Sequence, residues 1–151
     1  MCRQWAVPTD RLVLEVTESM VVADPTRTLA VLARLHELGV EISVDDFGTG
    51  YSSMDYLKRL PVREVKIDRS FVTSMVTDAR DAAIVRCTID LARSLGLRVV
   101  AEGVETPDVR ARLTTLGCDQ AQGFSFSRAL PAAEFTAWLA ARERGALAIS
   151  A

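Results

Sequence analysis

Two adjacent carboxylates, Asp45 and Asp46, close an apolar run and open onto Phe47-Gly48-Thr49-Gly50-Tyr51-Ser52-Ser53, a stretch of small and turn-forming residues. Neighbouring side chains on an extended chain diverge, so one of two consecutive aspartates can bridge a pair of cations while the other holds only one. Oxygen donors of this kind suit Mg²⁺ or Mn²⁺. An Asx turn that caps the following helix is the other use of the same dipeptide, and nothing local separates the two. Further polar residues interrupt or follow apolar runs. Glu15 and Glu18 flank Thr17, Lys66 splits Val65 from Ile67, Glu102 and Glu105 lie in Ala101-Glu102-Gly103-Val104-Glu105, and Gln122 follows Ala121. Singly, each has a plain explanation: a loop or capping role for Glu18, a solvent-facing strand lysine for Lys66, helix first-turn acids for Glu102 and Glu105. A carboxylate inside an apolar run is costly to bury unless paired or metal-bound. Four strands ending in Glu, Asp, Lys and Glu make coincidence a poor account.

Such residues need a scaffold that delivers them to one place, and the hydrophobic pattern supplies a repeating one. Leu12-Val13-Leu14-Glu15-Val16 reads as a short strand, and Asp24-Pro25 then gives an N-cap followed by proline at the first helical position. Leu29, Leu32, Leu35 and Leu38 follow at helical spacing until Gly39 stops the helix. The unit returns as Glu41–Val44, a Gly-rich loop and a short helix near Met54–Leu60. It returns again as Glu64–Ile67 and a long helix near Asp81–Leu95, whose expected buried stripe is Ile84, Cys87, Thr88, Leu91 and Leu95. The fourth unit is Leu97–Ala101 with a helix from Thr106-Pro107 to Gly117. The fifth is Cys118–Gln122 with a helix from about Pro131 to Arg144, its apolar face made of Phe135, Trp138 and Leu139.

Strands alternating with helices predict an α/β chain with a parallel sheet. An open doubly wound sheet concentrates ligand contacts at one switch point. Here Glu15, Asp45, Lys66, Glu102 and Gln122 each stand at or near the C-terminal end of a different strand, as in a barrel whose site is assembled from many strand ends. The expected architecture is a partial TIM-type (βα)8 barrel of about five consecutive units, since a whole barrel takes about 250 residues.

At these same positions the sequence resembles the EAL domain family, the Mg²⁺- or Mn²⁺-dependent phosphodiesterases that linearise the bacterial second messenger cyclic di-GMP to pGpG. Leu14-Glu15-Val16-Thr17-Glu18-Ser19 is similar to the family's Glu-x-Thr-Glu segment, and Asp45-Asp46-Phe47-Gly48-Thr49-Gly50 to its Gly-rich acidic loop. Val65-Lys66-Ile67-Asp68, Ala101-Glu102-Gly103-Val104-Glu105 and Ala121-Gln122-Gly123-Phe124 complete the set in the family's order, so that the resemblance covers roughly residues 8–143.

The resemblance implies that Glu15, Asp45 and Asp46 are metal ligands, with Asp45 between two cations that activate water and clamp the phosphodiester. It implies catalytic roles for three more residues: Lys66 neutralises charge at the attacking water or phosphoryl oxygens, Glu102 orients water or acts as base, and Gln122 supports the bound water. Glu18 stays off the metal and pins the Gly-rich loop, while Asp68 and Arg69 belong to the substrate rim, with Glu105 grouped among the supporting residues. The tripeptide Glu-Ala-Leu, whose Glu is a family metal ligand, occurs nowhere in the sequence, and neither does asparagine, the residue type of a second ligand. Residues 1–151 are therefore expected to form an incomplete domain with an incomplete two-metal site and impaired hydrolysis. The alternative is a catalytically inactive module of the same origin that binds a nucleotide or a protein partner.

Composition narrows the remaining classes. The 151 residues are 49% hydrophobic and 25% charged, with net charge −2 and the charges mixed along the chain, which suits one ordinary core and gives no basic stripe for duplex nucleic acid. Cys2, Cys87 and Cys118 are odd in number and far apart, which argues against a disulfide framework or a structural zinc site. Cys87, on the apolar side of its helix, is expected to be buried. No run of apolar residues reaches the roughly 18 of a membrane span, and no leader pattern opens the chain, so a cytoplasmic location is expected. Five parallel strands leave two edges, and self-association is expected to cover them.

Overall fold

Side-chain caps set where the helices begin. Asp24 accepts a hydrogen bond from the Arg27 N–H at 3.1 Å, Asp78 from Arg80 N–H at 2.7 Å, Thr106 Oγ1 from Val109 N–H at 3.3 Å and Asp68 from Ser70 N–H at 3.0 Å. Proline occupies the first helical position after Asp24 and after Thr106. The computed structural model describes residue 4, residues 6–50 and residues 54–149. Its strands are β1 (Val13–Thr17), β2 (Glu41–Phe47), β3 (Glu64–Ile67), β4 (Arg98–Ala101) and β5 (Gln120–Ala121). Its helices are α1 (Glu18–Ala23), α2 (Pro25–Glu37), α3 (Met54–Arg59), α4 (Arg69–Ser74), α5 (Ala79–Ser94), α6 (Pro107–Leu116) and α7 (Ala132–Ile149).

The five strands form one parallel sheet in the order β1-β2-β3-β4-β5. A doubly wound sheet reverses its strand order at a switch point; this one never reverses, which is how successive βα units wind around a barrel. The α/β class and the barrel-type arrangement read from the sequence hold.

Alternation along the strands separates two faces. Ile42, Val44, Val65, Ile67, Val99 and Ala101 face the helices and are at most 2% exposed, packed with Val72, Val85, Ile89, Val109 and Leu113. Each of the valine, isoleucine and leucine side chains among them contributes about 1.5–3 kcal/mol by leaving water. The opposite face is polar. At the strand starts Arg98 pairs with Glu41 and lies 3.4 Å from Glu64; at the strand ends stands the cluster described below. Edge strand β1 is less covered, with Val13 46% and Leu14 37% exposed.

Several expectations need correction. The six-residue helices α1 and α4 add to the helices expected from the sequence. On α5 the buried stripe is Val85, Thr88, Ile89 and Ala92, one residue later than expected. Ala82 to Val85 is apolar throughout, so two overlapping stripes fit the same spacing, and the sheet selects the later one. Cys87 is consequently exposed rather than buried, and Leu95 is exposed as well. On α7, Phe135 and Leu139 remain 49% and 42% exposed, so that face is not laid on the core. Arg142 of α7 lies 4.8 Å from the Trp138 ring centre on the same helix and 5.9 Å from that of Phe126. Strand β5 is shorter than the expected Cys118–Gln122. Cys118 is half-buried, its thiol directed to the Gln120 carbonyl at 3.2 Å, and burial pushes its pKa up. Cys2 and residues 51–53 of the Gly-rich run lie outside the described residues.

Candidate active site

Lys66 is the centre of the cluster. It stands on β3, the most buried strand, with its side chain only 6% exposed. Its ammonium lies 2.6 Å from Glu102 Oε1, 2.8 Å from Glu15 Oε1 and 3.1 Å from Asp45 Oδ1. Burial alone pulls a lysine pKa down, but the close carboxylates of Glu102, Glu15 and Asp45 outweigh it and hold Lys66 above the ordinary lysine range. Glu15 reaches it from β1 across β2, about 10 Å at twice the ordinary strand spacing. Two long side chains span that gap over the small, fully buried Ser43, the β2 partner of Glu15.

The strand carrying the aspartates is bulged at them. Pairing of β2 with β3 passes from Val44↔Val65 to Phe47↔Ile67, so three steps on β2 match two on β3. Asp46 takes up the extra residue at φ +55°, a conformation that costs a non-glycine residue about 1–2 kcal/mol. The bulge sends the two carboxylates apart. Asp45 stays with Lys66, while Asp46 meets Asp68 from the end of β3. Burial first, then the charges of Asp45 and Asp68, push the Asp46 pKa up. Burial also acts to raise Asp68, but hydrogen bonds from the Ser70 hydroxyl and N–H outweigh it and leave Asp68 below the ordinary carboxylate range.

Glu18, three residues after Glu15, is 3% exposed and accepts the Gly48 N–H at 3.0 Å, beneath the Gly-rich loop. Gly103 holds the end of β4 against α4: it sits at φ +69°, and a Cβ there would lie 2.6 Å from Cβ of Arg69. The structure therefore gathers Glu15, Asp45, Lys66 and Glu102, with Asp46 and Asp68 alongside and Glu18 under the loop. Three further expected residues are exposed. Arg69 opens α4 exposed, Glu105 is exposed beyond Gly103, and Gln122 is exposed with its backbone tied to β4 through Ala101 O at 2.8 Å. The Asp46–Asp68 contact was missed by sequence reasoning; an Asp doublet immediately before the strand's last apolar residue is the trace that the bulge leaves in the sequence.

The donor set fits hard divalent cations. All the donors are carboxylate oxygens, and Asp45 Oδ1 is buried without a well-directed hydrogen bond, its contact with Lys66 being an ion pair. Among the described residues no three His, Cys, Asp or Glu side chains stand as a ready-made cage. A groove of about 700 Å³ between α5 and α6 lies away from this chemistry, lined by Arg86, Asp108 and Arg112. Among the described residues no helix is long and apolar enough to cross a membrane.

Comparison with known proteins shows the family. Residues 1–129 match the family described as the EAL domain. The bifunctional diguanylate cyclase/cyclic di-GMP phosphodiesterase MucR of Pseudomonas aeruginosa is 51% identical over 129 residues, covering 85% of this chain and 19% of MucR. The solved phosphodiesterase of MucR in complex with cyclic di-GMP superposes with a TM-score of 0.86 at 48% identity, covering 89% of this chain and 54% of that one. BlrP1 of Klebsiella pneumoniae, solved with manganese and cyclic di-GMP, gives 0.78 at 34% identity, covering 83% and 32%. The chain thus spans about a fifth of the curated relative and about half of the solved MucR chain.

Proposed function

Since the chain belongs to the EAL domain family, we propose that it serves the metal-dependent hydrolysis of cyclic di-GMP to pGpG. The observation that carries this reading is the convergence of Glu15, Asp45 and Glu102 from three strands on one buried lysine, beside the bulged Asp46. Glu15, Asp45 and Asp46 would hold Mg²⁺ or Mn²⁺, which when bound supplies Lewis acidity and an activated water. The rest is the work of the chain's own groups. The Lys66 ammonium faces the anionic phosphodiester and offsets the charge that builds on its oxygens during attack. Glu102, hydrogen-bonded to Lys66, orients the attacking water and takes its proton. Glu18 keeps the Gly-rich loop, and with it Asp46, in place through the Gly48 N–H. Asp68 and Arg69 belong to the rim that meets the nucleotide, with Glu105 a supporting residue, and Gln122 would support the attacking water. The setting is cytoplasmic, and the exposed Val13 and Leu14 on edge strand β1 favour pairing with a second copy.

A second reading rests on one sequence observation, the lack of any asparagine and of any Glu-Ala-Leu tripeptide. With those donors missing, the 151-residue polypeptide would bind cyclic di-GMP and turn it over slowly or not at all. Chromatography of cyclic di-GMP incubated with the protein and Mn²⁺ separates the two. Metal-dependent pGpG supports hydrolysis; metal-dependent retention of cyclic di-GMP without pGpG supports the binding module; neither result would remove both.

A further inference from the structure

We propose that Lys66 is an internal stand-in for a metal ion, holding the carboxylates together when no metal is bound and competing with the metal for them. The inference rests on the metal-binding reading of the same site. An ammonium has three donors, and here it lies within 3.1 Å of three carboxylates, on β1, on β2 and just after β4. The Lys66 side chain is only 6% exposed, so its charge is balanced chiefly by these carboxylates rather than by water. The oxygens of Glu15 and Asp45 that would hold a divalent cation lie 2.8 and 3.1 Å from the Lys66 nitrogen.

The charge count gives the arrangement its direction. Glu15, Asp45, Asp46 and Glu102 set against Lys66 leave a formal excess of three negative charges, so one lysine offsets their repulsion only in part and a dication remains strongly attracted. A cation entering between Glu15 and Asp45 must take those carboxylates from Lys66. The ammonium then retains Glu102, its nearest partner at 2.6 Å, and stays beside the phosphate site. Lys66 therefore lowers metal affinity while keeping the metal-free site from opening.

The test is titration with Mn²⁺ alone, followed by calorimetry, on the unaltered protein and on Lys66→Met and Lys66→Arg, with thermal unfolding of each in EDTA. The expected result is Mn²⁺ binding at least about tenfold tighter in Lys66→Met, about 1.4 kcal/mol. It comes with a lower Tm in EDTA and a larger upward shift of Tm on adding Mn²⁺. Lys66→Arg keeps the charge and stays near the parent in affinity. Where Lys66→Met does not hold its fold, Lys66→Gln gives the same comparison. Equal or weaker Mn²⁺ binding in a folded, charge-free variant overturns the stand-in role while leaving the metal site intact. Absence of Mn²⁺ binding in every form overturns the metal reading itself, and the stand-in role with it.

Discussion

Replacing Gly103 with alanine tests how tightly the end of β4 is seated beneath the site. A Cβ at Gly103 would lie 2.6 Å from Arg69 Cβ and 3.3 Å from Arg69 Cα, and the residue sits at φ +69°. The left-handed backbone costs an L-residue about 1–2 kcal/mol. The collision adds about 1–3 kcal/mol of overpacking, because Arg69 Cβ is fixed to the backbone of α4 and cannot swing aside. Together these make about 2–5 kcal/mol, which at roughly 2–4 °C per kcal/mol for a chain of this size lowers Tm by about 4–20 °C. Gly96 is the matched control: its φ is +71°, but nothing lies within 4 Å of its would-be Cβ. Gly96→Ala should therefore show the torsional part alone, about 1–2 kcal/mol. Calorimetric unfolding of the two variants beside the parent gives the comparison. Gly103→Ala should also weaken Mn²⁺ binding, since Glu102 precedes it and contacts Lys66, whereas Gly96→Ala should not. Equal losses of Tm in the two variants would refute the packing argument.

Asp45→Asn should reduce pGpG formation by more than about 100-fold, whereas Glu18→Gln, acting only through the loop, should cost about 10–100-fold; equal residual rates would argue against the separate roles. Lys66 has a folded pKa above its unfolded value, so the stability it contributes is complete below about pH 10 and is lost as pH rises further. The Tm advantage of the parent over Lys66→Met should accordingly be flat to about pH 10 and shrink above it, and an advantage that grows with pH would contradict the assignment. Turnover of cyclic di-GMP by this 151-residue polypeptide should stay below about 1 s⁻¹, an ordinary enzymatic rate. Light scattering after size-exclusion chromatography should show dimers or larger species that Leu14→Lys on the exposed edge reduces; a sharp monomer of 16.5 kDa would exclude that pairing.

Repetition and punctuation made the fold legible. Asp24-Pro25 and Thr106-Pro107 open helices where expected, Gly39, Gly96 and Gly117 follow helix ends, and the β-branched runs between them are the strands. The rotation of α5 was not legible, because Ala82 to Val85 offers two apolar stripes and only the position of the sheet chooses between them. Nor was the exposure of Phe135, since an apolar face on a helix does not say what covers it. At the site, Glu15, Asp45, Lys66 and Glu102 could be read as strand-end residues because each breaks an apolar run. Their mutual distances could not, since the reach of Glu15 over Ser43 and the divergence at Asp46 depend on sheet curvature and a bulge, which are properties of paired strands. Gln122, which follows the two-residue β5, has an exposed side chain.

The most direct test of the central claim is calorimetric titration of cyclic di-GMP into the protein in Ca²⁺, repeated in EDTA and with Asp45→Asn. If the Lys66-centred carboxylates form a metal-dependent cyclic di-GMP site, binding is saturable in Ca²⁺, disappears in EDTA and weakens by at least about tenfold in Asp45→Asn. Binding of equal strength under all three conditions, or none in Ca²⁺, would contradict it.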